Sequence, residues 1–234
     1  MGDLRSKRRG GFYWEGKKPY VSVTNVLDVI DKPALRYWFG NQIYWAMVKE
    51  PELDEKSAMA KPWETSDKAK SRGTTVHSIV EAWKNIDDVK GLDSEQFGGY
   101  AQAFDNWRND YKVEPLEHER TVKSEKYGYA GTLDLLAMVN GKKALIDVKT
   151  NKDANIYKEV QLQLSAYEQG LREEGEFVDV AYALSLGDRG NYNFKSFQMD
   201  LDAFLHAKGL WEWANEAKCK KVNYFTGGKN DSKS

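Results

Sequence analysis

Gly131-Thr-Leu-Asp-Leu-Leu-Ala-Met-Val-Asn-Gly-Lys-Lys-Ala-Leu-Ile-Asp-Val-Lys-Thr150 holds two alternating runs on either side of Asn140-Gly141. Both positions of a two-residue hairpin turn need φ > 0, which Asn and Gly adopt most readily, so this stretch reads as an antiparallel hairpin. Residues equidistant from the turn then face each other, and Asp134 faces Asp147, with Cβ atoms about 4.5–5.5 Å apart. Leu133, Leu135, Ala137 and Val139 share one side with Ala144, Ile146 and Val148, and that side reads as core. Asp134 and Asp147 point the other way, joined by Lys149. Two opposed carboxylates repel unless a cation or a proton sits between them. A hard divalent cation held by carboxylate oxygens and a backbone carbonyl answers that problem; two hydrated aspartates on a solvent-facing hairpin are the plainer alternative.

Downstream, a helix is expected near 156–172, carrying Gln163 and Tyr167 at i, i+4, then strands near 177–186 and 191–199 and a last helix near 201–217. Upstream, strands near 115–123, 130–139 and 142–150 follow a helix over about 94–111. Another helix over about 74–86 bears an apolar stripe of Val76, Ile79, Val80 and Trp83. It places His77 and Glu81 at i, i+4, largely off that stripe. Residues 51–72 read as a polar, partly helical connection. Asp31-Lys-Pro33-Ala opens a helix with proline early, where its missing N–H costs little, and that helix carries Leu35, Trp38, Ile43 and Met47. Tyr20–Val23 reads as extended, with Thr24 capping a helical turn. Helices first, then strands around one helix, predict an α/β or α+β core: a mixed central sheet flanked by helices, with a helical N-terminal region.

The chain has 234 residues, with 35 Lys+Arg against 36 Asp+Glu for a formal charge of −1. That balance excludes a uniformly basic polyanion binder and leaves local clustering as the source of any nucleic-acid site. A single cysteine, Cys219, excludes an internal disulfide and four-cysteine zinc or iron–sulfur sites. No apolar stretch approaches a membrane span, and the basic start (Arg5, Lys7, Arg8, Arg9) lacks the apolar segment of a secretory signal. The expected location is intracellular. Residues 1–18 are expected to be a basic flexible arm, 19–225 one domain, and 226–234 a disordered tail. Lys218, Lys220 and Lys221 form a small basic cluster. The 8 Trp, 13 Tyr and 9 Phe supply core and stacking surfaces alike, with Trp211 and Trp213 read as packing residues.

The order His77, Gly131-Thr-x-Asp134, Ile146-Asp147-x-Lys149-Thr150, Gln163-x-x-x-Tyr167 closely resembles the RecB-like branch of the PD-(D/E)XK nuclease superfamily. The opening, Ser22-Val-Thr-Asn-Val with the later Arg72-Gly-Thr-x-Val-His77, is similar to phage-encoded and mitochondrial genome maintenance exonuclease-like members. The resemblance runs from about Pro19 to about Tyr167 and implies a restriction-endonuclease-like core. It makes Asp134 and Asp147 metal-binding carboxylates, with the Val148 carbonyl and His77 completing the protein ligands. It makes Glu81 a partner behind them or a ligand of a second ion. Lys149 would orient the attacking water or stabilise phosphate charge. Gln163 and Tyr167 would support the site and contact the DNA strand, with Arg72 and Thr150 as further DNA contacts. Asp147 stands where many relatives have Glu. With Cys219 alone, the chain cannot belong to the iron–sulfur subtype.

The activity so implied is Mg²⁺- or Mn²⁺-dependent hydrolysis of DNA phosphodiesters, by an exonuclease at DNA ends in replication, recombination or repair, beside replication or recombination proteins. A structure-specific endonuclease of the same superfamily would use the same residues. An inactive DNA-binding protein on this fold, or an unrelated α+β binding module, is the alternative from another class.

Overall fold

A computed structural model describes residues 10–81 and 94–226 of the chain. Among them, seven strands form one mixed sheet: β1 (Phe12–Glu15), β2 (Lys18–Ser22), β3 (Val113–Ser124), β4 (Tyr129–Val139), β5 (Lys142–Thr150), β6 (Val180–Leu186) and β7 (Tyr192–Phe197). The order is β1-β2-β4-β5-β6-β7, with β3 also paired to β4. β2 runs parallel to β4 and β5 parallel to β6, and the remaining pairs are antiparallel. The helices are α1 (Val23–Val26), α2 (Pro33–Lys49), α3 (Glu55–Glu81), α4 (Ser94–Tyr111), α5 (Val160–Glu173), α6 (Leu201–Ala214) and α7 (Glu216–Lys221). The fold is therefore α/β with a mixed sheet flanked by helices, as the alternation of periods predicts.

The β4–β5 hairpin follows from its turn. Asn140 and Gly141 both have positive φ, 49° and 78°, and the register is the predicted one from Val139↔Lys142 to Leu135↔Ile146. The expected division into a core side and an exposed side does not hold, because Leu136 and Leu145 on the carboxylate side are as buried as Leu135 and Ile146. The hairpin is central in the sheet, with helices on both faces, so both must be apolar. On one face Leu133, Leu136 and Leu145 pack with Leu164, Tyr167 and Leu171 of α5 and with Phe204 and Trp211 of α6. Against the other, Trp107 of α4 meets Phe194 at 5.4 Å, and Phe194 stacks on Tyr182 at 4.2 Å.

Phe12–Glu15, read above as part of a flexible arm, is strand β1. Gly16-Lys17 is a two-residue loop with Gly16 at φ 60°, and Phe12 and Tyr13 are buried. Thr24 lies inside α1, whose N-cap is Ser22. Residues 55–72, read as a partly helical connection, belong instead to one 27-residue helix, α3. Asp54 accepts from the Ser57 N–H at 3.0 Å, capping the helix start. Its sequence is rich in Lys, Glu, Ala and Ser, and Pro62 is accommodated inside it. The final helix is two, α6 and α7, divided at Asn215. Trp211 is buried against Phe12, whereas Trp213 is exposed. Lys220 pairs with Glu216, and Lys218 lies over the Phe12 and Trp211 rings.

By their contacts the described residues fall into two compact units, 10–30 with 94–226 in one and 31–81 in the other. The second is built on α2 and α3, whose Phe39 and Trp63 rings meet edge to face at 5.0 Å. α2 has no buried residue: Leu35 and Met47 are exposed, and Trp38 and Ile43 only half-buried. Among the described residues no helix is long and apolar enough to cross a membrane. The arm's first nine residues and the tail from Gly227 lie outside the described part.

An ion network ties the β1–β2 hairpin to β3. Lys123 bonds Glu15 and Glu125, both at 2.6 Å; Lys18 also reaches Glu125, and the buried Tyr20 hydroxyl donates to Glu125 at 2.8 Å. The Lys123 and Lys18 ammonium groups hold the Glu125 carboxyl at about 2, below its ordinary value of 4.5. A depressed carboxylate contributes stability above its unfolded value and loses it as pH falls through the folded one. Lys123→Met is therefore expected to move the acid-unfolding midpoint upward within the window from 4.5 to about 2. Circular dichroism during acid titration measures that shift; an unchanged midpoint would mean that solvent already screens the network.

Candidate functional site

β4 is paired along one whole edge by β3, from Tyr129 to Val139. Its other edge is shared: β2 occupies it at Tyr129 and Ala130, and β5 at Leu135 to Val139. Gly131–Asp134 lies in the fork between them, where β5 turns to follow β6 as far as Thr150. Backbone groups at such a fork need other partners. Asp134 provides one: its Oδ2 accepts from the Val148 N–H at 2.7 Å. Asp134 and Asp147 are thus not the next rung of the ladder, which ends at Leu135↔Ile146; the Asp134 carboxylate instead reaches across the fork to the residue after Asp147.

Asp147 is buried, which excludes the hydrated-surface alternative. Lys149 Nζ lies 2.9 Å from its Oδ1 and 2.8 Å from its Oδ2. Only the first contact has hydrogen-bond geometry, so Oδ2 sits beside the ammonium yet accepts no hydrogen bond from the described residues. Lys149 also donates to Gln163 Oε1 at 3.3 Å, and Gln163 Nε2 donates to the Tyr167 hydroxyl at 3.1 Å. The relay has a direction. Because Gln163 accepts from an ammonium, it must present its amide N–H to Tyr167, which leaves the phenol hydrogen to be donated onward.

Burial pulls the Lys149 ammonium towards neutrality, but the charges of Asp147 and Asp134 outweigh it and hold the group above the ordinary lysine value. It is therefore charged at neutral pH. Burial, reinforced by the same two aspartates, pushes the Tyr167 phenol well up, so it acts as a hydrogen-bond donor and not as a phenolate.

Sequence reasoning brought together Asp134, Asp147, Val148, Lys149, Gln163 and Tyr167, and the structure does so too. Thr150 ends β5 opposite Leu186, half-buried. Arg72, His77 and Glu81 stand on α3, with their side chains outside the described part. Sequence reasoning missed three residues. Glu159, at the N-cap of α5, is a third carboxylate acting on Lys149. Thr132 lies in the fork, and the Tyr13 hydroxyl is 3.2 Å from its Oγ1. Gly16-Lys17, a Gly-first two-residue loop, was the signal for the strand that carries Tyr13.

Among the described residues, no group of three or more His, Cys, Asp or Glu side chains forms a complete metal cage. The donors present nevertheless suit a hard cation: two carboxylates at one fork, one with a buried oxygen that accepts no hydrogen bond from the described residues. Asp134, Asp147 and the Val148 carbonyl are the groups that would hold Mg²⁺ or Mn²⁺.

Gly131 makes room for the relay. A Cβ there would lie 2.4 Å from Tyr167 Cε1 and 3.2 Å from Val23 Cγ2. Gly131→Ala is expected to destabilise the fold by about 1–3 kcal/mol through overpacking and to shift Tyr167 away from Gln163. Chemical denaturation reads the first effect, and an altered Tyr167 ring environment in NMR the second. A variant as stable as the wild type would show that the ring has somewhere else to go.

No protein-family model matches the chain, and no curated protein is significantly similar to it. Among solved structures, an alkaline exonuclease from Laribacter hongkongensis is similar at 14% identity and TM-score 0.45, over 88% of this chain and 91% of that one. The same protein in complex with dAMP is similar at 13% identity and TM-score 0.45, over the same shares of the two chains. Those values are too low to assign this chain to a family.

Proposed function

We propose that this chain is a metal-dependent deoxyribonuclease of the RecB-like PD-(D/E)XK type, acting as an exonuclease at DNA ends. One observation carries the reading: Asp134, Asp147, Lys149, Gln163 and Tyr167 converge where β4 and β5 part, with a buried Asp147 oxygen that accepts no hydrogen bond from the described residues. Phosphodiester hydrolysis needs an activated water and positive charge near the phosphate oxygens. Mg²⁺ or Mn²⁺, when bound by Asp134, Asp147 and the Val148 carbonyl, supplies a polarised water and a Lewis acid.

The chain's own residues do the rest. Asp147 and Gln163 hold the Lys149 ammonium in place, so it meets developing phosphate charge without reorganising. Gln163 fixes Tyr167 so that its hydroxyl donates outward, to a phosphate oxygen or a bound water. Glu159 adds negative charge that keeps Lys149 protonated. The resemblance assigns His77 and Glu81 to the metal and Arg72 and Thr150 to the DNA strand. Replication or recombination proteins are the partners this activity fits.

The test is cleavage of end-labelled linear DNA, single- and double-stranded, beside closed circles, in Mn²⁺ and in EDTA. Loss of linear DNA alone, only with metal, supports the exonuclease. Cutting of circles would replace it with an endonuclease using the same residues. No metal-dependent cleavage of any substrate would overturn the enzyme reading.

A further inference from the structure

Lys149 on β5 and Gln163 on α5 meet across the segment that joins their two elements, residues 151–159. A contact closed over such a segment is held only as firmly as the segment's path, because a freer connection costs more entropy to close. One side chain fixes much of this path. Asn151 Nδ2 donates to the Asn155 carbonyl and to Ser185 Oγ, both at 2.8 Å, and Asn151 Oδ1 accepts from the Asn155 N–H at 2.7 Å. Both amide hydrogens and the amide oxygen are thereby engaged. The carboxamide meets the Asn155 main chain as a ladder rung would, at a point where the chain has left the sheet.

Main-chain bonds anchor the same residue. The Asn151 N–H donates to the Leu186 carbonyl, and the Asn151 carbonyl accepts from the Ala154 N–H, both at 3.2 Å. The turn so formed puts Ala154 at φ 53°, in the left-handed region that a residue with a Cβ adopts only where its surroundings impose it. Ala154 is buried, so the turn is packed as well as bonded. Ser185 ties it to the site, being buried and the register partner of Lys149 in the β5–β6 ladder. Asn151 thus links the strand beside Lys149 to the segment that leads to Gln163. With Asn155 held, only residues 156–159 separate the fixed point from α5, and Ile156 among them packs against the core.

We infer that Asn151 is a positioning residue for DNA cleavage: its carboxamide sets the path of residues 151–159 and, through it, the place where Gln163 meets Lys149. The effect on rate rests on the nuclease reading; the effect on geometry does not. The plainer alternative is a loop staple whose loss lowers stability alone.

Steady-state cleavage and side-chain amide NMR separate the two. Asn151→Ala is expected to lower kcat by about 10–100-fold, the order lost when a catalytic group is misplaced by about 1 Å, with KM nearly unchanged. The Gln163 amide cross-peak, assigned by its absence in Gln163→Ala, should shift. In the Gln163→Ala background, Asn151→Ala should lower kcat no further, because residues that act through one another are not additive. A staple would cost the same factor in both backgrounds. Ser185→Ala removes one of the three side-chain bonds and should move the same cross-peak by less, which carries the test if Asn151→Ala fails to fold. Asn155→Ala keeps the bonded main chain and is expected to match the wild type. An unmoved Gln163 cross-peak in Asn151→Ala, an equal loss of kcat in both backgrounds, or an Asn155→Ala variant as impaired as Asn151→Ala would overturn the inference. A wild type that cleaves no DNA would overturn the nuclease reading instead, and the cross-peak would then decide the positioning.

Discussion

Asp147→Asn is expected to lower metal-dependent DNA cleavage by about 10³-fold, the order seen when one electrostatic element of a hydrolytic site is lost. Its fold should survive. The amide has the carboxylate's shape, a buried carboxylate near Asp134 is removed, and the Lys149 ammonium that loses its partner is 36% exposed and can be solvated, so the thermal midpoint in EDTA should move by only a few degrees. The decisive readout is linkage. Mn²⁺ is expected to raise the wild-type midpoint, because a ligand that binds only the folded state stabilises it by mass action. It should leave Asp147→Asn unmoved, and Asp134→Asn likewise. Asp134→Asn also weakens the bond from the Val148 N–H, which then goes to a neutral amide oxygen in place of a carboxylate. An Asp147→Asn enzyme that still cleaved at the wild-type rate across a range of Mn²⁺ concentrations would remove Asp147 from the site.

Lys149→Met is expected to show the complementary pattern. Cleavage should fall by about 10²–10³-fold, the contribution of one preorganised positive donor. Unlike Asp147→Asn, this variant strands a buried carboxylate without its ammonium. Breaking a fully buried pair costs about 3–5 kcal/mol. The Lys149 side chain is 36% exposed, so solvent already screens part of the attraction, and about 2 kcal/mol is the expected loss. Mn²⁺ should then restore more stability to Lys149→Met than it adds to the wild type, since the cation replaces the missing charge. Differential scanning calorimetry with and without Mn²⁺ separates the cases. If metal stabilised both proteins equally, Lys149 and the metal would not share Asp147.

Much of this site was legible because it is built from local rules. A turn with φ > 0 at Asn140 and Gly141 sets the register, and period two sets the facing pairs, so the ladder from Val139 to Leu135 follows from residue types alone. Gln163 and Tyr167 share a helix face by spacing, and their hydrogen bond confirms it. The expectation ran out one rung further on. Whether Asp134 continues the ladder depends on whether β5 stays with β4 or leaves to follow β6, and β6 is more than thirty residues away in the chain. The exposed face predicted for the hairpin failed for the same reason: periodicity tells two faces apart, but only the helices laid over them decide which are dry.

The sequence by itself determined the elements whose cause lies within a few residues: the hairpin and its register, α4, the Gln163–Tyr167 pair, and the presence of two acidic residues and a lysine in one short stretch. The tertiary structure alone decided how those pieces meet. It made β1 a strand by burying Phe12 and Tyr13, and it extended α3 through a stretch with no apolar stripe of its own. It also opened the fork at Gly131–Asp134, and brought Glu159 to bear on Lys149. The physical reason is range. Turn and helix preferences act over one to four residues, whereas burial, ladder partners and the field at a buried charge are set by whatever the folded chain brings alongside.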